Sequence, residues 1–203
     1  GLDLTDGTVV AVKVLHNQYV ANPASRRRFV KEARMLAQVN NPFVANLLAF
    51  DEDEGAAYLA IEFVPGGSVG DCLKQRGALS EKVALSLVSD ALRGLAVAHQ
   101  RGIVHRDIKP DNMLLTEAGA TLVNESRNHP QLGVPLVKLS DFGLARKEDQ
   151  SESVAITHDG ALLGTPWYMS PEQCRGQPTD TRSDVYSMGA SLFHLIAARP
   201  PFE

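Results

Sequence analysis

The sequence predicts an α+β fold of two lobes, a small β-rich lobe followed by a mainly helical one, with a cleft between them. Three observations carry this. Runs of β-branched and apolar residues recur between positions 8 and 61, Pro65-Gly66-Gly67 breaks the pattern, and two strongly apolar helical stretches follow at 80–99 and 183–198. The expected division is 1–63 for the first lobe and 64–203 for the second, the two forming one domain.

Each element has its own signal. Thr8 to Leu15 is rich in β-branched residues and follows the turn signal Asp6-Gly7, so it is expected to be a strand. A helix comes next, with Pro23 suited to its first turn and Phe29, Ala33, Leu36 and Ala37 at helical spacing. At ~100° per residue, Glu32 falls beside Phe29 and Leu36. A carboxylate on the apolar side of a helix needs a partner. Leu47–Phe50 and Ala57–Ile61 are expected to be two strands joined by the acidic turn Asp51–Gly55. Beyond the break, Ser80 is placed to cap a helix running through His99, whose Ala84, Leu87, Val88, Ala91, Leu95 and Ala96 leave little polar face. The helix over 183–198 has the same character and must stop by Pro200-Pro201.

Composition excludes several classes. The 203 residues are 44% hydrophobic and 22% charged, as in ordinary globular proteins rather than disordered or fibrous ones. A net charge of −4 without a basic tail argues against nucleic-acid binding driven by bulk charge. Cys72 and Cys174 lack CxxC spacing, which argues against a disulfide framework or zinc site. Neither a membrane-spanning run nor a signal-peptide pattern is visible, so a cytoplasmic location is expected.

Three segments carry chemistry. His105-Arg106-Asp107-Ile108-Lys109-Pro110-Asp111-Asn112 reads H-R-D-x-K-x-x-N; Asp141-Phe142-Gly143 follows a strand-like Leu136–Leu139; Gly164-Thr165-Pro166 leads into Trp167–Glu172. In this order they resemble the protein kinase family, specifically its serine/threonine branch, across essentially the whole chain. The run from Tyr168 to Gly176 is most similar to bacterial members. Taken singly, these residues have plainer readings: Lys13 as an edge-strand lysine, Glu32 as half of a surface pair, His105 as a core histidine. Their combination and order outweigh those readings.

The resemblance implies a two-lobed kinase-like fold, ATP and Mg2+ as cofactors, and a protein substrate bearing serine or threonine. Phosphoryl transfer needs charge neutralisation and in-line placement more than covalent help. By resemblance, Asp107 accepts the hydroxyl proton or orients the hydroxyl, Lys109 sits over the transferring γ-phosphate, Thr165 bonds to both and helps shape the site for a serine or threonine hydroxyl, and Asn112 and Asp141 bind magnesium. Lys13 matches the strand lysine that binds the α- and β-phosphates, and Glu32 its helix partner. Ile61 matches the gatekeeper, Glu62 and Val64 the hinge, and Ala11 and Leu114 the residues above and below adenine. Leu36, Leu47, His105 and Phe142 match the stacked hydrophobic spine, and Asp184 the residue that ties down the catalytic loop. Arg106 is expected to bind a phosphorylated residue of the activation segment 141–172, with Thr157 favoured over Ser151 and Ser153.

The chain also departs from the family pattern. Only twelve residues precede Lys13 and they contain no G-x-G-x-x-G, while the chain stops at Glu203, just past the last long helix. A domain incomplete at both termini is therefore expected, with Glu172 lacking its usual arginine partner. Thr116 to Pro135 exceeds the usual tight hairpin and is expected to be an exposed loop. The alternatives are a catalytically weak fragment or pseudokinase serving as a binding or scaffold module, and a small-molecule phosphotransferase. Retention of Lys13, Glu32, Asp107, Asn112 and Asp141 argues against the pseudokinase, and the Thr165–Glu172 segment argues against the phosphotransferase.

Overall fold

In the computed structural model, residues 1–15, 29–30, 33–34, 36–53, 56–125, 134–142 and 166–202 are described. The apolar runs of the first lobe form an antiparallel sheet of β1 (Val10–Leu15), β2 (Leu47–Asp53) and β3 (Ala56–Glu62), with β3 in the centre. Register places Ala11 opposite Ile61 and Lys13 opposite Leu59. These four residues therefore share one face, because side chains alternate along a strand. Helical residues at 29–30, 33–34 and 36–38 supply Phe29 and Ala33, which pack with Ala57, Leu59, Leu47 and Ile61. Each expected strand is present, with β1 starting at Val10 rather than Thr8 and β2 running on through Asp53, so that Asp51–Asp53, expected in the turn, pair with β3.

In the second lobe, α1 (Val69–Arg76) starts with a capping box between Ser68 and Asp71. Helix α2 (Glu81–Gln100) is capped by Ser80, as expected, and buries Ala84, Leu87, Val88, Ala91, Leu95 and Ala98 along one stripe. Gly94 on this stripe permits a close approach, since a Cβ there would lie 2.6 Å from the Phe43 carbonyl oxygen. A short 3₁₀ turn (Pro110–Asn112) leads into β4 (Met113–Leu115), which pairs with β5 (Val137–Leu139). Between these strands lies α3 (Glu117–Glu125). A second 3₁₀ turn (Pro166–Tyr168), the one-turn α4 (Pro171–Cys174) and α5 (Thr181–Ala197) complete the order. Asp180 caps α5, which packs on α2 and ends at Ala197, with Ala198 as its C-cap two residues before Pro200.

The lobes are stitched together by backbone. The Leu139 amide donates to the Phe43 carbonyl and the Ala45 amide to the Leu139 carbonyl, both at 2.9 Å. One continuous core runs from Leu36, Val39 and Val44 through α2 to Met113, Leu139 and Phe142. Among the described residues, no helix is long and apolar enough to cross a membrane.

Helix α3 corrects the expectation of an exposed loop over 116–135. Its Leu122 and Val123 are buried, and the Thr116 side chain accepts from the Gly119 amide at its start. The polar residues from Asn124 onward obscured this short amphipathic pattern; residues 126–133 lie outside the described set.

Candidate active site

The segment 103–112 is held by what surrounds it. Ile103, Ile108 and Pro110 are buried as anchors, so the polar residues between them project from a fixed backbone. Asp184, itself buried on α5, accepts from the His105 amide (2.8 Å), the Arg106 amide (2.7 Å) and His99 Nε2 (2.8 Å). A carboxylate this enclosed requires such donors. The expectation that Asp184 ties down this loop's backbone agrees with these bonds.

His105 is fully enclosed, and burial pushes its imidazole below the usual histidine range. The neutral ring has one proton to place. Nε2 faces the Ser140 carbonyl at 2.9 Å and so donates, leaving Nδ1 to accept from the Asp107 amide at 3.3 Å. The ring also packs on Phe142 with centroids 4.5 Å apart. Leu36 and Phe142 lie in the same core and Leu47 packs against it, so the four expected spine residues occupy one region.

Asp107 is partly buried and shared by two donors. Its Oδ2 accepts from Lys109 Nζ (2.8 Å) and Asn112 Nδ2 (2.9 Å), and the same amide group donates to the Asp107 carbonyl (2.7 Å). Oδ1 takes no hydrogen bond from the described residues. Asn112 is buried and, with its amide nitrogen committed twice, keeps its side-chain oxygen as the available donor to a cation. The Ser140 amide donates to the Asn112 carbonyl (3.0 Å), which sets Asp141 alongside. Lys13 reaches across from β1 to place Nζ 2.7 Å from Asp141 Oδ1. Asp141 and Arg106 both have left-handed backbones (φ 58° and 68°), which non-glycine residues adopt only when surroundings enforce them.

At the expected hinge, Ile61 is partly buried, Val64 is buried, and the Glu62 amide donates to the Asn46 carbonyl (2.9 Å). The Glu62 carboxylate is held on two sides: Lys138 Nζ lies 2.5 Å from Oε1, and Asn46 donates to Oε2 from its amide side chain (3.2 Å) and backbone (3.3 Å). Leu114 stands opposite Lys138 in the β4–β5 pair, so both share the partly buried face. Ala11 is exposed on the sheet face it shares with Lys13. Asn46 and Lys138 were not anticipated. The strand alternation was the available signal for Lys138, which sits between buried Val137 and Leu139.

The structure thus brings together Lys13, Asp107, Lys109, Asn112 and Asp141. Glu32, Thr157 and Thr165 lie outside the described residues. Arg106 is partly buried, and its Nε is enclosed without a hydrogen-bond partner among the described residues. Glu172, expected to lack its usual arginine partner, accepts instead from the Ser183 hydroxyl, the main reason its carboxyl lies below the ordinary glutamate range. Nearby, burial raises the Tyr168 phenol to about 12 and lowers the His194 imidazole, and the phenol oxygen and Nδ1 share a hydrogen bond of 2.6 Å.

The model of the protein kinase domain matches residues 1–203, the full chain. The chain belongs to the protein kinase domain family. Among curated proteins it is 37% identical over 193 residues to a probable serine/threonine-protein kinase of Clostridium perfringens, covering 95% of this chain and 25% of that protein. Serine/threonine-protein kinase pkn2 of Myxococcus xanthus is 37% identical over 203 residues, covering 100% of this chain and 23% of the relative. PknB of Mycobacterium leprae is 36% identical over 197 residues, covering 95% and 29%. This kinase domain spans about a quarter of the length of the curated relatives it matches.

Proposed function

We propose that this domain is a serine/threonine protein kinase that transfers the γ-phosphate of ATP to a serine or threonine hydroxyl of a protein. The observation that carries the proposal is the Asp107 carboxylate, oriented through Oδ2 by Lys109 and Asn112 while Oδ1 takes no bond from the described residues. A hydroxyl at Oδ1 is aligned by hydrogen bonding and can give up its proton there as the new O–P bond forms and the bond to ADP breaks. Lys109, 2.8 Å from Asp107, sets a positive charge where the transferring group becomes more anionic.

Lys13 is the ligand for the α- and β-phosphates, with Glu32 as its helix partner. The donor set of Asp141 and Asn112, one carboxylate and one amide oxygen on adjoining segments, suits magnesium, which takes few protein oxygens beside phosphate and water. When bound, magnesium supplies charge neutralisation on the phosphates. The base lies between Ala11 above and Leu114 below. Ile61 stands behind it, with the Glu62 carbonyl and Val64 backbone at its edge. Residues 1–63 and 64–203 act as the two lobes of one catalytic unit. Arg106, with an enclosed Nε unpartnered among the described residues, suits a phosphate on the segment 141–172, with Thr157 as the site and Thr165 beside Asp107 and Lys109. Both cysteines are free, in keeping with a reducing cytoplasmic setting, where ATP is held.

The test compares the parent protein with Asp107→Asn in radiolabelled phosphate transfer to a basic protein and to a panel of small hydroxyl compounds. Transfer to protein alone, lowered at least ~10²-fold by the substitution with nucleotide binding retained, is expected. Parental turnover in the variant removes the role given to Asp107. A parent that binds ATP yet transfers to nothing is a binding module.

A further inference from the structure

We propose that Gln173 is a positioning residue that aims Asp107 by gripping the Arg106 carbonyl. The inference rests on the role given to Asp107 above.

Arg106 immediately precedes Asp107 and holds a left-handed backbone at φ 68°. Such a conformation persists in a side-chain-bearing residue only when neighbours hold it. On its amino side, the His105 and Arg106 amides are fixed by Asp184. On its carboxyl side lies the peptide that joins it to Asp107. That peptide's N–H meets His105 Nδ1 at a long 3.3 Å, whereas its carbonyl accepts from Gln173 Nε2 at 2.9 Å. Gln173 is therefore the closer restraint on the plane from which the Asp107 side chain springs.

Gln173 is itself set in place. It is buried, and its Oε1 accepts from the Ser170 amide at 3.0 Å while the fully buried Ser170 hydroxyl accepts from the Gln173 amide at 3.4 Å. The amide cannot be flipped. Exchanging its ends would set an NH₂ against an amide donor at Ser170 and an oxygen against the Arg106 carbonyl. A side chain clamped at both ends acts as a strut. It links α4 to the catalytic loop across 67 residues of sequence. Because misplacement by ~1 Å can cost roughly 10²-fold in rate, small rotation of the 106–107 peptide acts on turnover rather than on nucleotide binding.

Two substitutions separate this role from a merely structural one. Gln173→Met keeps size but removes the donor; Gln173→Glu keeps the oxygen that faces the Ser170 amide and can donate to the Arg106 carbonyl only when protonated. With the full-length protein, Gln173→Met is expected to lower kcat about 10- to 100-fold with KM for ATP within about threefold, after correction for folded fraction. Gln173→Glu is expected to recover toward the parent as pH falls, since burial holds its carboxyl protonated more readily, while Gln173→Met keeps a constant ratio to the parent. Parental kcat in Gln173→Met overturns the proposal. If that variant does not fold, a Gln173→Glu ratio independent of pH overturns it equally. Asp107→Asn is assayed in parallel: parental turnover there defeats the role of Asp107, whereas an inactive Asp107→Asn beside a fully active Gln173→Met defeats only the strut.

Discussion

Replacing Asp184 by Ala removes the one acceptor shared by the His105 amide, the Arg106 amide and the His99 ring. Asp184 is 1% exposed, so water does not readily replace it. A buried donor left without a partner costs about 1–3 kcal/mol, which puts the two amides at roughly 2–6 kcal/mol. The His99 ring lies nearer the surface and adds less. Against a typical domain stability of about 5–15 kcal/mol this is a large fraction. At about 2–4 °C per kcal/mol for a chain of this size, a melting temperature lower by about 5–20 °C is expected. Calorimetry and urea unfolding followed by circular dichroism provide the measurement. Asp184→Asn serves as the control: its oxygen can accept one amide while its NH₂ opposes another donor, so it recovers at most about half the loss. An Asp184→Ala protein within ~1 kcal/mol of the parent would refute the account of how this loop is held.

Three further outcomes follow from the geometry. Gly119→Ala places a Cβ 2.0 Å from the Leu136 carbonyl oxygen, so α3 must shift; a loss of about 1–3 kcal/mol is expected in urea unfolding, and an unchanged midpoint would show that the helix is not tightly docked. His105 titrates below its ordinary 6.5 because burial disfavours the charged ring, so the folded chain binds fewer protons than the unfolded one just below that pH. Its contribution to stability is complete above pH 6.5 and is lost progressively as pH falls toward the folded value; an NMR titration midpoint at or above 6.5 would contradict this. Lys138→Met leaves Glu62 with Asn46 alone, and a double-mutant cycle with Glu62→Gln is expected to show coupling of about 1 kcal/mol, additivity being the refuting result.

What the sequence reveals here follows the range of the interaction. The β2–β3 hairpin and the caps Ser80 and Asp180 depend on neighbours within a few residues, and β1, though it pairs with the distant β3, carries its own run of β-branched residues; of these Ser80 and the strands were readable from pattern alone. The cluster Asp107, Lys109 and Asn112 is local too, five residues from end to end, so its motif predicts its geometry. Asn46 and Lys138 on Glu62, and Gln173 on Arg106, are 16, 76 and 67 residues from their partners. Nothing periodic encodes such pairs. Helix α3 failed for another reason: only its Leu122 and Val123 show the buried face, too few to outweigh the polar run that follows.

Two left-handed residues stand at the centre of the site, Arg106 and Asp141, and each is stabilised from far along the chain. Arg106 is held by Asp184 and Gln173, and Asp141 is met by Lys13 from 128 residues away on the other lobe. Neither conformation is favoured locally, since each costs about 1–3 kcal/mol in a non-glycine residue. The backbone at Arg106 therefore takes shape only when α5 and α4 are packed around it, while β1 meets Asp141 through its side chain. A site built this way has a stability linked to that of the whole core, so under the proposed function substitutions at Asp184 are expected to act on folding and on phosphoryl transfer together. In that proposal Asp107 and Lys109, partly exposed and paired locally, are expected to bear on the chemistry with little effect on the fold.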